Sequence, residues 1–243
     1  MVAAQPTIIA TSISFQLTGG SVWDGMPGPA YRLATTLAGA GDHPRLCMLA
    51  TGEGDNPVYL AARYSAFGRL DMRVSHLALF PMPNVADMRK HLLDQDIIWV
   101  GGGSTANLLA IWRLHGLDVI LRECWQAGVV LMGSSAGSIC WHAGGTTDSF
   151  RLPLRPVTDA LAFLPYSNSP HYNSEPERRP ITHRLIADGV LPDGFATDDG
   201  AGLVFFGTQL HEAIAENPRA KAYSITRGPD GRVTESELPT RVL

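Results

Sequence analysis

Ser135 stands in a pattern that predicts a nucleophile. It follows the apolar run 128–132, with Gly133 two residues before it and Gly137 two residues after it. The spacing G-x-S-x-G is that of the nucleophile elbow, a sharp strand-to-helix turn that lifts a serine hydroxyl clear of a sheet. The helix that follows such a turn directs its first backbone N–H groups at the reaction site. A serine that only caps the helix is the simpler alternative.

A second predicted strand end carries a run of glycines, 101–103. The run comes directly after 97-IIWV-100 and before a helical segment that Ser104 or Thr105 would cap. Three glycines let the backbone approach a ligand closely with its N–H groups free to donate, which suits an oxyanion or a phosphate. Neither the dinucleotide-binding nor the P-loop pattern is present here, so a nucleotide site is disfavoured. A plain tight turn is the alternative.

A serine nucleophile needs a base, and His171 is the best placed of the eight histidines. It follows a predicted strand, 161–167, in the polar loop 168–173, so it should reach the same end of the sheet as Ser135. His142 lies seven residues beyond Ser135 on a predicted helix, roughly 10 Å along its axis and pointing away from the elbow. We therefore expect His171 to be the base.

Asp198 and Asp199 are the candidates for the acid that would orient the imidazole. They lie in 197-TDDG-200, at the head of a late predicted strand. Adjacent acids at a turn are also common as solvated residues with no function. The choice between the two aspartates stays open at this stage.

The elements that must position these residues form an α/β pattern. Strands alternate with segments of helical period, the arrangement that buries a parallel sheet between two helix layers. In such sheets, ligand sites form at the carboxyl ends of the strands. The predicted strands are 7–13, 45–51, 72–80, 97–102 and 129–134, and the predicted helices are 29–40, 57–68, 84–94, 105–116 and 117–128.

The pattern changes after Ser135. We expect a helix over 136–143, a loop over 144–156, the strand 161–167, and a segment 177–189 that is helical in its second half. The remaining stretches, 195–216 and 220–233, predict short strands joined by tight turns. No linker is apparent, so these strands should extend or flank the same sheet, and residues 1–243 should form a single domain.

Composition excludes several function classes. The net charge is −4 with no long run of like charges, which argues against nucleic acid or an anionic membrane as partner. The apolar runs fall far short of the roughly 20 residues that span a bilayer. The first charged residue is Asp24, so the basic region of a secretory signal is absent. We expect a cytoplasmic protein that acts on a small molecule or peptide.

The three cysteines do not form a recognisable site. Cys47, Cys124 and Cys140 are widely spaced and include no C-x-x-C pair. Their number and spacing argue against both a disulfide framework and a zinc site. The chemistry predicted above requires neither a metal nor a cofactor.

Taken together, the motifs resemble the aspartyl dipeptidase or peptidase E family of serine peptidases, with cyanophycinase as a relative. The motifs are 100-VGGGST-105, 133-GSSAG-137 and 168-NSPHY-172, followed by Asp199 before Gly200. The resemblance implies a three-layer α/β sandwich with a mostly parallel central sheet, flavodoxin-like and related to class I glutamine amidotransferases. In that comparison, serine takes the place of the amidotransferase cysteine.

The resemblance also implies roles for individual residues. Ser135 would be the nucleophile, His171 the base, and the N–H groups of Gly102 and Ala136 the oxyanion hole. Relatives usually carry glutamate where this chain has Asp199, and asparagine where it has Ser104. Asp199 is the expected acid, and Asp198 is the alternative.

The family cuts after an N-terminal aspartate, whereas cyanophycinase acts on a β-linked Asp-Arg polymer. The resemblance implies that one of Arg178 and Arg179 occupies the position where the dipeptidases bind the substrate carboxylate. A guanidinium fork suits a carboxylate. A solvated, basic start of a helix is the alternative for these arginines. Gly103 is also assigned to substrate binding.

We therefore expect a serine exopeptidase that hydrolyses dipeptides or short peptides with an N-terminal aspartate. Two alternatives remain. One is a cyanophycinase-like or isoaspartyl peptidase, and the other is a non-catalytic, amidotransferase-like binding protein. A homodimer is left open.

Overall fold

The computed structural model describes residues 3–13, 15–17 and 25–243 of the chain. The strands in these residues are β1 (Thr7–Thr11), β2 (Phe15–Leu17), β3 (Gly25–Pro27), β4 (Arg45–Leu49), β5 (Arg73–Leu77), β6 (Ile97–Val100), β7 (Val130–Ser134), β8 (His142–Thr147), β9 (Arg155–Val157), β10 (Leu164–Ser169), β11 (Gly194–Thr197), β12 (Ala201–Phe206), β13 (Gln209–Ala215), β14 (Ala222–Arg227), β15 (Val233–Glu237) and β16 (Thr240–Val242). The helices are α1 (Ala30–Leu37), α2 (Pro57–Phe67), α3 (Met88–Leu93), α4 (Thr105–Leu114), α5 (Leu117–Gln126), α6 (Ala136–Ile139) and α7 (Arg178–Ala187), with a 3₁₀ turn at Thr51–Glu53.

The central sheet has eight strands in the order β16-β13-β12-β1-β7-β6-β4-β5. The five strands from β1 to β5 in this order run parallel, and β12 and β13 are added beside β1 in antiparallel pairs. All five strands predicted in the first two-thirds of the chain belong to this sheet. The prediction of a mixed α/β fold with a mostly parallel central sheet is confirmed.

Apolar layers cover both faces of the central sheet, because successive residues of a strand point to opposite faces. In β4, Leu46 and Met48 pack on one side and Cys47 and Leu49 on the other. Residues of α1 and α2 cover the first face, and residues of α4 and α5 cover the second. Within the described residues, no helix combines the length and the apolar character needed to cross a bilayer.

A second sheet of six strands has the order β15-β14-β11-β10-β8-β9. The prediction that the strands of 195–216 and 220–233 extend or flank one sheet is correct for β12 and β13 and wrong for β11 and β14. The antiparallel strand β12 pairs with β1, so the sheet does not continue from β1 to these strands. Leu164 and Ala222 of the second sheet share an apolar cluster with Leu131 of β7, which packs the two sheets together.

The region after Ser135 differs most from its prediction. Helix α6 is only four residues long, and β8 begins at His142, so the expected helix over 136–143 is wrong in its second half. The expected loop over 144–156 contains most of β8 and the start of β9. Glycine has a low strand propensity, which disguises a strand that contains Gly144 and Gly145. A Cβ at Gly145 would lie 2.2 Å from the Asn168 carbonyl oxygen, so the close approach of β10 requires glycine there. The segment 177–189 is helical in its first half as well as in the predicted second half, because α7 already begins at Arg178.

Candidate active site

Ser135 occupies a strained turn between β7 and α6. Its φ and ψ angles are 57° and −117°, a conformation that residues other than glycine rarely adopt. A Cβ at Gly133 would lie 1.9 Å from the Gly137 carbonyl oxygen, so only glycine permits this turn. Strain of this kind is typical of functional sites. The adjacent Ser134 is buried, and its hydroxyl lies 3.0 Å from that of Thr11, so the turn separates the two serines.

His171 reaches Ser135 from the second sheet. It lies two residues after β10, with a φ of 57°, and its backbone N–H donates to the Ser12 hydroxyl at 3.0 Å. The N–H of Ser135 donates to the Thr11 carbonyl at 3.0 Å. Two consecutive residues at the end of β1 therefore hold Ser135 and His171. We expected Ser135 and His171 to lie at the same end of one sheet. Instead, Ser135 follows a strand of the central sheet and His171 follows a strand of the second sheet.

A chain of hydrogen bonds joins Ser135, His171 and Asp199. His171 Nε2 lies 2.8 Å from Ser135 Oγ, and His171 Nδ1 lies 2.6 Å from Asp199 Oδ1. An ionised carboxylate can only accept, so Nδ1–H donates to Asp199 and Nε2 is left to accept the serine proton. This is the arrangement of a nucleophile, a base and an orienting acid. The His171 and Asp199 side chains are largely shielded from solvent.

The surroundings of Asp199 keep its carboxyl group ionised. Burial acts to raise its pKa, but hydrogen bonds from His171 and Ser174, together with the positive charge of Arg178, hold the pKa below its ordinary value. The Asp199 backbone N–H donates to Asn173 Oδ1 at 2.9 Å. The loop that carries the histidine thus also positions the carboxylate.

Asp198 faces a different part of the molecule. Its Oδ2 accepts the Lys221 N–H at 3.1 Å, and its own N–H donates to the Lys221 carbonyl at 2.9 Å. Burial raises the pKa of this carboxyl. Of the two aspartates that the sequence left open, Asp199 is therefore the one in contact with His171.

Gly102 and Ala136 both lie next to Ser135. A Cβ built on Gly102 would be 3.3 Å from that of Ser135, so the glycine run passes directly over the serine. Ala136 is the first residue of α6, where backbone N–H groups have no acceptor within the helix. The Gly102 N–H donates to the hydroxyl of Tyr59, whose pKa is raised to about 12 chiefly by burial. Tyr59 therefore packs against the glycine run.

Gly103 has a φ of 104° and packs against the 3₁₀ turn. A Cβ there would lie 2.4 Å from the Gly52 carbonyl oxygen, which leaves no room for a side chain. The Ser104 N–H donates to this same carbonyl at 2.9 Å, and the Ser104 hydroxyl caps α4, as predicted. The substrate-binding role of Gly103 stays a prediction.

The structure separates the two candidate arginines. Arg178 is 2% exposed, its Nε donates to Glu175 at 2.8 Å, and its Nη1 donates to the carbonyl and hydroxyl oxygens of Thr146. Arg179 is about half exposed, forms an ion pair with Glu235 and lies over the ring of Tyr172. Arg178 is thus the arginine whose charge acts on Asp199.

His142 is a buried core residue. It lies in β8, contrary to the predicted helix, and its Nδ1 donates to the Ser138 carbonyl at 2.8 Å. Burial lowers its pKa to about 4, so the ring is neutral at physiological pH. His183, on α7, is paired with Glu235. In residues 3–13, 15–17 and 25–243, no three His, Cys, Asp or Glu side chains gather as they would around a metal ion.

Sequence reasoning missed several residues that support the site. Ser12 bonds His171 across 159 positions of the chain, and no local pattern indicates such a contact. Tyr59 is also distant in sequence from the glycine run that it contacts. Asn173 and Ser174 follow His171 closely in a polar loop, and that proximity was a usable signal.

Comparisons with known proteins find similarity to peptidases. The chain matches Peptidase family S51 over residues 32–213. It is 43% identical to the "Uncharacterized peptidase YgaJ" of Bacillus subtilis (strain 168) over 204 residues, 83% of this chain and 86% of the relative. It is 37% identical to a peptidase E of Shewanella denitrificans over 133 residues, 51% of this chain and 56% of that protein.

A solved structure has a similar fold. The crystal structure of a peptidase from an acI-B1 actinobacterium matches with a TM-score of 0.65 and 17% identity, covering 97% of this chain and 95% of the other. The likeness in fold extends over nearly the whole chain. Because the family match spans most of the chain, we conclude that this protein belongs to Peptidase family S51.

Proposed function

We propose that the protein is a serine exopeptidase that hydrolyses dipeptides or short peptides with an N-terminal aspartate. The observation that carries the proposal is the contact series from Ser135 through His171 to Asp199, at 2.8 and 2.6 Å. Membership of a peptidase family and the likeness to peptidase E support the same conclusion. The reaction class is acyl transfer from the substrate to serine and then to water.

The first half of the reaction forms an acyl-enzyme. Ser135 Oγ attacks the carbonyl carbon of the aspartyl residue, and His171 Nε2 takes the hydroxyl proton. The N–H group of Ala136 donates to the oxyanion of the tetrahedral intermediate, and the Gly102 N–H exchanges the Tyr59 hydroxyl for the oxyanion when substrate binds. His171 then gives the proton to the departing amine, and the C–N bond breaks.

The second half releases aspartate. A water molecule takes the place of the amine, His171 removes its proton, and the hydroxide attacks the ester carbonyl. The proton returns to Ser135 Oγ as the ester bond breaks. Asp199 stays ionised throughout and stabilises the imidazolium that forms in each half. An aspartate suffices for this role, although relatives carry glutamate, because its carboxylate lies 2.6 Å from Nδ1.

We assign recognition of the substrate carboxylate to Arg178. Its Nε and Nη1 are held by Glu175 and Thr146, so the plane of the guanidinium is fixed before substrate arrives. Within the described chain its Nη2 has no acceptor, which leaves a donor for the ligand. A fixed guanidinium selects a carboxylate and also orients the scissile bond relative to the serine.

A fluorophosphonate probe and a peptide assay test the proposal together. Wild-type protein should be labelled and should release leucine from Asp-Leu, and Ser135→Ala protein should do neither. Absence of both labelling and hydrolysis in the wild type would leave the non-catalytic binding protein as the better hypothesis. Cleavage of β-linked Asp-Arg in strong preference to Asp-Leu would instead indicate a cyanophycinase-like activity.

A further inference from the structure

A cleft of about 580 Å³ separates the loop between β8 and β9 from the segment that follows His171. The loop contributes Arg151, Leu152 and Leu154, and the facing segment contributes Ser174 and Pro176, among others. The volume is in the range of small-ligand pockets. None of the residue roles assigned above accounts for this cleft.

Both walls of the cleft are tied to the candidate active site. On one side, the Ser174 hydroxyl donates to Asp199, and Glu175 binds Arg178 Nε. On the other side, the Ser149 hydroxyl accepts the Ala106 N–H at 3.2 Å. Ala106 is the second residue of α4, which begins directly after the glycine run. One wall of the cleft therefore belongs to the segment that contacts Asp199 and Arg178, and the other belongs to the loop that contacts the start of α4.

Three apolar residues line the cleft, together with three carboxylates, one serine and one cation. Leu152 is 68% exposed although it is large and apolar, and Leu154 and Pro176 add apolar surface. Arg151 is the one cation of this lining, and it forms no ion pair with another described residue. Its N–H donates to the Asp148 carbonyl at 2.8 Å, and its φ of 68° is unusual for a residue with a side chain. This turn presents the guanidinium from a constrained backbone.

The acidic residues of the lining do not neutralise Arg151. Glu175 is engaged with Arg178, while Asp148 and Glu177 are exposed at the rim, where water and salt screen their charges. A peptide carboxylate bound in the cleft would thus find an unpaired guanidinium. Arginine is well suited to such a ligand, because it can donate two parallel hydrogen bonds.

We propose that this cleft receives the residue that leaves the substrate, a proposal that rests on the function given above. An apolar side chain lies against Leu152, Leu154 and Pro176, and its terminal carboxylate binds Arg151. Recognition of a free C-terminus directly after the scissile bond favours cleavage of dipeptides. The preferred substrates are then aspartyl dipeptides with an apolar second residue.

Asp-Leu and its C-terminal amide, Asp-Leu-NH2, provide the test, because they differ only in the charge at the proposed contact. Because Arg151 is itself exposed, wild-type kcat/KM should be about 2- to 5-fold higher for the free acid, the effect of a screened ion pair. Arg151→Asn should reduce the acid to the level of the amide and leave the amide unchanged. Asparagine tolerates the positive φ, and a melting curve verifies the fold. Arg155→Gln, at the start of β9 and outside the lining of the cleft, is the matched control and should keep the wild-type ratio.

The outcomes distinguish the two proposals. Equal wild-type rates for acid and amide, or a ratio that survives Arg151→Asn, would overturn the assignment of the cleft while Asp-Leu cleavage still supports the proposed function. Failure to cleave any aspartyl peptide would reject both. For the apolar contact, Leu152→Asn should lower kcat/KM for Asp-Leu several-fold and leave Asp-Gly unchanged. Equal losses for these two peptides would remove the apolar part of the proposal.

Discussion

The hydroxyl of Ser12 accepts the backbone N–H of His171 at 3.0 Å and donates to the carbonyl of Thr197 at 2.7 Å. Ser12 follows β1 in the central sheet, His171 follows β10 in the second sheet, and Thr197 ends β11, two residues before Asp199. One buried hydroxyl thus connects His171 and the strand that leads to Asp199. The neighbouring Thr11 holds Ser135, so the spacing of all three depends on the end of β1.

Ser12→Ala should lower turnover only because His171 is then less well positioned relative to Ser135. Displacement of a catalytic group by about 1 Å can cost 10²-fold, so we expect kcat to fall roughly 10- to 100-fold with a nearly unchanged KM. Ser12→Thr keeps the hydroxyl and should restore much of the loss. Steady-state kinetics and melting curves measure both effects. A lowered melting temperature with unchanged kcat would mean that Ser12 has only a structural role.

Ser135→Ala should leave the fold intact and lower peptidase turnover by about 10⁴-fold or more, as removal of a nucleophile does. Ser134→Ala removes a buried hydroxyl that meets Thr11 and should cost far less activity. Turnover of Asp-Leu by each variant, with circular dichroism as the folding check, decides the matter. The opposite ranking would assign the nucleophile to Ser134.

Asp199→Asn should lower turnover much more than Asp198→Asn. The Asp199 carboxylate accepts from His171 Nδ1 and so selects the tautomer whose Nε2 can take a proton, which an amide does less well. We expect a loss of roughly 10³- to 10⁴-fold for Asp199→Asn. The Asp198 carboxylate accepts the backbone N–H of Lys221, so replacement of Asp198 should mainly lower stability. A larger kinetic loss for Asp198→Asn would reverse the assignment.

The elements near Ser135 and His171 show how far sequence could predict the site. The elbow was predictable because strand, glycines and serine are contiguous, and local sterics determine their conformation. The contact of Asp199 with His171 required a family resemblance, since the two adjacent acids are equivalent in sequence. The second sheet was missed because strand patterns do not specify pairing partners, and Gly144 and Gly145 hid β8. The flavodoxin-like description, the single domain, the cytoplasmic location and the homodimer remain predictions.

The carboxyl group of Glu216 should make the free energy of unfolding depend on pH. Burial raises its pKa to about 7, and its Oε1 has no hydrogen-bond partner among the described residues. The unfolded chain titrates this carboxyl near its ordinary value of about 4.3. The folded state therefore binds the proton more tightly, and stability that is present below the unfolded pKa is lost as pH rises to about 7.

Glu216→Gln imitates the protonated carboxyl and should remove this dependence. At pH 8 the variant should have a free energy of unfolding about 2 kcal/mol higher than the wild type, a value reduced for partial exposure of the group. Near pH 4 the two proteins should be equally stable. Urea denaturation at both pH values measures the difference. The same difference at both values would show that titration of Glu216 is not its cause.

Arg178 supplies the last prediction, a preference for aspartate over its neutral isostere. The guanidinium is buried, and a site built around a buried charge rejects a ligand that lacks the complementary charge, because the charge is then left unpaired. A site of this kind can discriminate by about 10⁴-fold, whereas an apolar pocket achieves about 10- to 200-fold for one methylene. Wild-type protein should therefore cleave Asp-Leu, and should not measurably cleave Asn-Leu or N-acetyl-Asp-Leu.

Replacement of each arginine separates recognition from folding. Arg178→Met should abolish the preference for Asp-Leu over Asn-Leu, and it should also lower the melting temperature, because Glu175 and Thr146 lose their donor. Arg179→Met is the matched control: its partner is Glu235, so the substrate preference should survive. Loss of the preference in the Arg179 variant alone would move recognition to that residue. Similar wild-type rates for Asp-Leu, Asn-Leu and Ala-Leu would instead leave a serine hydrolase without aspartate specificity, because a buried guanidinium that contacts the substrate cannot treat a carboxylate, an amide and a methyl group alike.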